Sequence, residues 1–512
     1  MSKKISMNDW GIYILSILSL LFASCNDKPT SSFKVDHLSA LDSYQQAREI
    51  LKIAIEFNGG QSALDSINFM SVEYNGMVTA PFQGYNTDSL HKKLERNGSL
   101  QFNIPNNQYL NEMQTSWPYF NDHAMTLTTN DSIYFLNKEG QTYHSTENNH
   151  SDNVWKQRLT PLIFKALSEN LSSLRYQDLI TSNQKEYFLL SGLLNGNLCD
   201  IYINQSNYQI EKISYLDYHY AFGDSEINLH FDQYEKINGF NMALKNTQEI
   251  NGHLMRDYQF TQVKFQDQTD FVKIIEDYRY VKPIHQSRSP MEIVELVPDV
   301  FLIKNILNQD YNAAFVNFND FIVILEAPLD NRASQVVINE ISKRYPDKPI
   351  QYLFISHFHD DHSGGFMEYL KQGTKVIVAE GDEDFYENYR SYKHTLAGYG
   401  EFQNAPLIMA SVNKNGMTIS DSHLTLEILN IGPTTHVENI LIAYIPEHNL
   451  LFQGDLFRTP REGEPLETIR QEGITLFEYI NSNEIKVDLL VGVHGPVGAF
   501  SDLERAMEQS TN

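Results

Sequence analysis

Ser356-His357-Phe358-His359-Asp360-Asp361-His362-Ser363-Gly364-Gly365 puts three imidazoles and two carboxylates into one short run of consecutive positions. Gln351-Tyr352-Leu353-Phe354-Ile355 before it is apolar, aromatic and β-branched and reads as a buried strand, while Gly365-Phe366-Met367-Glu368-Tyr369-Leu370 after it reads as a helix start. The histidines therefore stand on a strand-to-helix turn. In extended chain His357 and His359 project to one side and suit one ion, and the bend re-aims Asp361 and His362 toward a second. With 17 His in 512 residues, most imidazoles are ordinary surface or hydrogen-bonded core groups. The spacing H-x-H-x-D-H is too specific to share that explanation.

The chain around this turn alternates strands and helices. Upstream, Glu292 to Ile306, Ala313 to Phe318 and Phe321 to Leu325 read as strands and Arg332 to Arg344 as a helix; Thr374 to Ala379 reads as a further strand downstream. That alternation indicates a layered α/β domain. Later apolar strands (Leu424 to Ile431, Leu450 to Gln453, Val487 to Val493) each run into a loop carrying one more candidate ligand. These are His436 in Gly432-Pro433-Thr434-Thr435-His436, Asp455 in Gln453-Gly454-Asp455 and His494 in Gly492-Val493-His494-Gly495-Pro496.

Taken in this order, residues from about 291 to 505 resemble the metallo-β-lactamase superfamily. The resemblance implies four αββα layers with a metal centre at one sheet edge. It implies one ion on His357, His359 and His436, a second on Asp361, His362 and His494, and Asp455 bridging both. Imidazole plus carboxylate suits two Zn2+, with Mn or Fe next. The chemistry implied is hydrolysis by a hydroxide shared between the ions, with Asp455 setting their separation and Asp361 shuttling the proton to the leaving group. Glu326 stands where most members carry an aspartate, and is expected to steady the metal loop. Asn439 follows His436 and is expected to orient it or pack against the site. Tyr392 and His394, in the Tyr-rich segment from Phe385 to Ala405, are candidate substrate contacts on a segment that arches over the metals. Because Asp455 occupies the position where the cysteine-type zinc β-lactamases have Cys, the pattern is closer to thioesterases, lactonases and glyoxalase-II-like enzymes.

Lys3 and Lys4 precede an apolar run from Gly11 to Ala23, too short for the ~20 residues that span a bilayer. It ends in Phe22-Ala23-Ser24-Cys25, which resembles the lipobox of bacterial lipoproteins. The resemblance implies lipidation of Cys25 and a cell-envelope location, lipid-anchored and facing the periplasm or the outer-membrane surface. Cys199 is the only other cysteine, so no intramolecular disulfide supports the mature fold. A net charge of −26 argues against nucleic acid as a partner, and 41% hydrophobic content with 29 Tyr and 29 Phe is that of a folded chain.

The expected organisation is α+β: signal peptide 1–25, tether 26–36, a β-rich domain 37–280, a linker 281–290 marked by Pro283, Ser287, Ser289 and Pro290, and the metal domain 291–512. In the β-rich domain Ala47, Ile50, Leu51, Ala54 and Phe57 recur at helical spacing and Gly59-Gly60 stops the helix. Strand-like runs follow from Val72 to about Phe265, interrupted by a helix around Thr160 to Leu174, and Asn251-Gly252 is a two-residue hairpin signal. A leading helix followed by a long antiparallel meander resembles the lipoprotein-carrier fold, an open half-barrel. It leaves two readings for this domain, a docking sheet or a groove for a hydrophobic ligand. The whole reads as a membrane-anchored dinuclear metal hydrolase of an ester, thioester, lactone or lactam. The alternatives are an iron-dependent persulfide-type oxygenase of the same superfamily, and a ligand-binding or docking lipoprotein whose metals are structural.

Overall fold

The computed structural model describes residues 38–118, 120–148, 154–265, 271–281, 290–398, 405–461, 463–466 and 468–511. Cys25 with its leader, the 26–36 tether and most of the 281–290 linker lie outside these residues.

The first helix, Ala40–Phe57, is capped by Ser39, whose hydroxyl accepts from the Asp42 N–H. It buries Ala47, Ile50, Leu51, Ala54 and Ile55. Phe57, expected on the same stripe, is exposed and lies against the Tyr208 ring at 4.7 Å. Gly59 (φ 134°) ends the helix where a Cβ would sit 2.3 Å from the Gly239 carbonyl oxygen, so only glycine fits.

A fourteen-stranded sheet follows among the described residues. Phe69–Ala80 pairs with Lys92–Asn103 on one side and with His253–Lys264 on the other, so the first and last long strands of the meander meet in mid-sheet. The two edges are Arg175–Ser182 and Arg279–Tyr280, which leaves the sheet open. Asn251 and Gly252, at φ 49° and 82°, form the expected tight hairpin between Phe240–Ile250 and His253–Lys264. The helix Thr160–Glu169 and the first helix pack against this sheet, burying Leu162, Ile163, Phe164 and Leu167 in the same core as Ala47 and Leu51.

From residue 292 the chain forms a seven-stranded and a six-stranded sheet stacked face to face. Strand alternation builds the layers. In Ile322–Leu325, Val323 and Leu325 point into the core between the sheets, while Ile322 and Ile324 face outward into the core that holds Val337 and Ile341 of helix Asn331–Arg344. In Leu441–Ile445 of the other sheet, Leu441, Ala443 and Ile445 point inward, and Ile442 shares the outer core with Leu476 and Ile480 of helix Gln471–Ser482. The result is αββα. The stretch expected as one strand from Glu292 to Ile306 is a hairpin, Glu292–Val297 and Val300–Lys304, because Asp299 takes up a left-handed φ of 62°.

The outer core does not stop at the linker. Phe82 and Phe222 of the N-terminal sheet share it with Phe385 and Tyr389 of helix Glu383–Ser391.

Candidate metal centre

All seven candidate ligands lie where a strand ends. Ile350–Phe354 runs parallel to Ile322–Leu325 and delivers His357 and His359, and the one-turn helix Asp360–Ser363 carries Asp361 and His362. Leu450–Gln453 and Leu489–Gly492 are likewise a parallel pair, and Asp455 and His494 follow their ends side by side. His436 lies in the loop after Thr425–Asn430, where the Thr434 hydroxyl accepts from the His436 N–H at 3.1 Å. Carboxyl ends of parallel strands converge on one edge, so residues far apart in sequence meet there.

They meet as two groups, His357, His359 and His436 in one and Asp361, His362, Asp455 and His494 in the other, with the donor atoms of each group within 4.8 Å of one another. His357 Nε2 and His436 Nε2 are 3.2 Å apart. Asp455 stands between the groups: its Oδ2 is 3.4 Å from His436 Nε2, while its Oδ1 is 3.0 Å from His362 Nε2 and 3.3 Å from His494 Nε2. Asp361 Oδ2 completes the second group at 3.5 Å from His494 Nε2 and 3.7 Å from His362 Nε2.

The imidazoles are aimed by what their other nitrogens touch. His357 Nδ1 is 2.9 Å from the Ser356 hydroxyl, and His362 Nδ1 lies 3.6 Å from Glu326 Oε2. His359 Nε2 donates to the Gly84 carbonyl at 2.8 Å, which presents Nδ1 to the site. His359 Nδ1 is buried without a hydrogen-bond partner, while His362 Nε2 and Asp455 Oδ1 are buried facing only one another and their fellow candidate ligands. Polar atoms so placed, converging from two loops, fit a bound cation.

Electrostatics separate the groups. Burial, reinforced by neighbouring imidazoles, holds His357 well below the ordinary histidine range, and burial with His436 beside it lowers His359 to about 3. Burial also opposes charge on His362 and His494, but the Asp455 and Asp361 carboxylates outweigh it and raise both. Asp455 is driven the other way: burial would raise it, and the facing His362 and His494 pull it well below the carboxylate range.

Glu326 is fully buried at φ 79° and does two things. Its Oε1 accepts from the Ser356 N–H at 3.2 Å, and its Oε2 faces His362, so the longer carboxylate reaches the metal loop. Two expectations need correction. Asn439 does not hydrogen-bond His436; its amide donates to the buried Asp382 carboxylate at 3.0 Å. Tyr392 and His394 do not arch over the site. Tyr392 packs against Phe222 and Tyr389, and His394 is buried against Tyr218, because Asp224 at the hairpin edge of the N-terminal sheet accepts from Thr395 and Leu396 and pins the segment there. In Asp361, expected as a proton shuttle, Oδ2 faces the imidazoles and Oδ1 accepts from Gln83 at 2.8 Å.

Several supporting residues carried no signal in the sequence. Asn312 donates to the Gly492 and Gly495 carbonyls at 3.1 and 2.8 Å and fixes the His494 loop. Gln453 accepts from the Leu456 and Phe457 N–H groups and donates to the Phe457 carbonyl, closing the turn that carries Asp455. A Cβ on Gly454 would sit 2.5 Å from the Ser356 hydroxyl. Gln83, Gly84 and Tyr220 come from the N-terminal sheet; Tyr220 hydrogen-bonds Asp360, whose carboxyl burial and neighbouring Asp361 push up to about 7. Beside the ligands lies a cleft of about 210 Å³ lined by His436, Asp455, Phe457, Arg458, Arg470, Glu472 and His494.

Residues 312–491 match the family model of the metallo-beta-lactamase superfamily. The chain is therefore identified as carrying a domain of that superfamily, a metallo-hydrolase with a histidine and aspartate cluster able to hold metal. Among solved structures it is similar to the TMB-1 metallo-β-lactamase (17% identity, TM-score 0.33), over 43% of this chain and 99% of that one. It is similar to a metallo-β-lactamase from Pontibacter korlensis at 18% identity and TM-score 0.32, again over 43% and 99%. FIM-1 from Pseudomonas aeruginosa, in its mono-zinc form, matches at 20% identity and TM-score 0.30, over 43% and 95%.

Proposed function

We propose that the protein is a dinuclear zinc hydrolase acting on an ester, thioester, lactone or lactam, held at the cell envelope through lipid on Cys25. The observation that carries the two-ion reading is Asp455, whose two oxygens face different ligand groups, 3.4 Å from His436 on one side and 3.0 Å from His362 on the other. His357, His359 and His436 would hold one ion and Asp361, His362 and His494 the other. When bound, two such ions supply an activated water near neutral pH and polarise the scissile carbonyl. The protein's part is orientation. Ser356 and Gly84 hold His357 and His359 with their ligand nitrogens inward, Glu326 holds His362, and the carboxylates of the second group favour the protonated forms of His362 and His494 until a cation replaces the proton. The 210 Å³ cleft would hold substrate against His436, Asp455 and His494, with the Arg458 and Arg470 side chains on its wall.

The test is metal analysis of purified full-length protein, followed by a hydrolysis panel of esters, thioesters, lactones and lactams. Two Zn2+ per chain with turnover on one of these classes supports the reading; one ion per chain overturns it, and iron with oxygen consumption replaces it by the oxygenase. Incorporation of labelled fatty acid, lost in Cys25→Ala, tests the anchor separately.

A further inference from the structure

The N-terminal sheet is joined to the metal centre by four consecutive residues of one connection, between strands Phe69–Ala80 and Lys92–Asn103. Phe82 is fully buried among Phe222, Phe385 and Tyr389, with ring centroids 5.3 to 5.4 Å apart. Gln83 Nε2 donates to Asp360 Oδ1 at 2.7 Å and to Asp361 Oδ1 at 2.8 Å. The Gly84 carbonyl accepts from His359 Nε2, and the Tyr85 carbonyl accepts from the Glu438 N–H at 2.8 Å, two residues beyond His436. The connection turns so tightly that a Cβ on Gly84 would lie 1.7 Å from the Ser89 carbonyl oxygen. One anchor and three hydrogen-bonding groups thus reach loops bearing ligands of both groups.

We infer that Gln83 is a positioning residue for the second metal, so that the N-terminal sheet completes the metal centre instead of merely adjoining it. This rests on the two-ion reading above. Asp360 and Asp361 are adjacent carboxylates that repel each other, and one amide nitrogen, with two hydrogens, satisfies both. Because both partners are carboxylate oxygens, only the NH2 end of the amide fits there. Engaging Asp361 Oδ1 leaves Oδ2 as the oxygen presented to His362 and His494, at 3.7 and 3.5 Å. A free carboxylate would rotate between the two oxygens. Gln83 selects one and holds it, as hydrogen-bonded partners of metal-ligating carboxylates do in general. The Gly84 carbonyl gives the first group an equivalent hold on His359, but through backbone, which side-chain substitution leaves in place.

The experiment is stepwise Zn2+ titration of metal-stripped, full-length protein by calorimetry, with Co2+ absorption spectra as a second readout of ligand geometry. Gln83→Met keeps the side chain's length without its donors, and Gln83→Asn keeps the donors on a shorter arm. Gln83→Met is expected to weaken the second Zn2+ by about 10- to 100-fold, the usual cost of losing such a partner, while the first Zn2+ and the melting midpoint stay as in wild type. Gln83→Asn is expected to fall between the two. Unchanged second-ion affinity in Gln83→Met overturns the proposal. So does an equal loss at both ions together with a lower melting midpoint, which marks a merely structural role. Wild type that takes up a single Zn2+ defeats the two-ion reading itself, and does so before any substitution is compared.

Discussion

The two ligand groups hold their side chains by opposite means. The first, His357, His359 and His436, is built of imidazoles alone; burial lowers His357 and His359, and neutral partners, the Ser356 hydroxyl and the Gly84 carbonyl, fix their ring orientation. The second pairs two carboxylates with two imidazoles that those carboxylates raise, so without a cation its charges neutralise one another. The first group is thus the more buried and is pre-aimed; the second is an ion-pair cluster that trades a proton for a metal. Asp455 belongs to both, so it couples a rigid site to an adaptable one.

The largest effect that can break this contrast comes from the shared and the pre-aimed ligands. His359→Ala is expected to empty the first site and abolish turnover, the loss of several kcal/mol of transition-state stabilisation, while the second group still binds one ion. Asp455→Ala is expected to lower occupancy of the second site and to uncouple the two binding steps. Metal stoichiometry beside the far-ultraviolet spectrum checks both, since neither side chain belongs to a sheet core and the fold should persist. Asp455→Ala keeping two ions and full turnover would defeat the bridging role.

Next in size is Glu326→Gln. The amide keeps an acceptor for the Ser356 N–H but removes the negative charge facing His362. Second-site affinity should fall by about 10- to 100-fold, with the first site unaffected. Stepwise zinc titration reads this directly, and equal losses at both sites would erase the distinction between the groups.

How far the sequence reached follows the same division. His357, His359, Asp361 and His362 are legible because one turn carries them all, and His436, Asp455 and His494 because each follows an apolar strand that ends at the same sheet edge. Glu326 is legible as a carboxylate at a strand end. The partners that aim these ligands are not. Gln83 and Asp361 are 278 residues apart, and nothing in Pro81-Phe82-Gln83-Gly84 marks it as facing a metal loop. For Tyr392 and His394 the Tyr-rich composition suggests a segment over the metals, but it does not show that Asp224 of another sheet holds the segment through Thr395 and Leu396. Nor does sequence proximity reveal that Asn439, three residues from His436, gives its amide to Asp382.

A smaller effect concerns acid. His91 Nδ1 accepts from the Phe82 N–H at 3.2 Å, and His219 Nδ1 accepts from the Ala221 N–H at 3.2 Å, so both rings serve as neutral acceptors beside the connection that carries Gln83. Burial first, then a neighbouring cationic or imidazole group, lowers each from 6.5 to about 4. Between those values the unfolded chain binds protons that the folded chain does not, so stability falls as pH drops from 6.5 toward 4. Thermal melts across that window should show the decline, and His91→Gln, which keeps an acceptor but cannot titrate, should reduce its slope. An unchanged slope would remove His91 from the account.

The smallest effect tests whether Asn439 lies outside the metal centre. Its amide donates to Asp382, which is 2% exposed and whose carboxyl burial pushes up to about 7. That hydrogen bond favours the charged form, so it opposes the effect of burial. With a folded pKa above its ordinary value, Asp382 costs stability as pH rises toward and past 7, where the unfolded chain has already released the proton. Asn439→Ala removes the donor and should raise Asp382 further. The destabilisation, about 1 kcal/mol for one hydrogen bond, should therefore be larger at alkaline pH than at mildly acidic pH. Zinc affinity at both sites should stay within twofold of wild type, about 0.4 kcal/mol. Melting curves on either side of neutrality and one zinc titration decide it: a pH-dependent loss of stability with intact metal binding places Asn439 in the scaffold, and a selective loss of the His436 site would return it to the ligand shell.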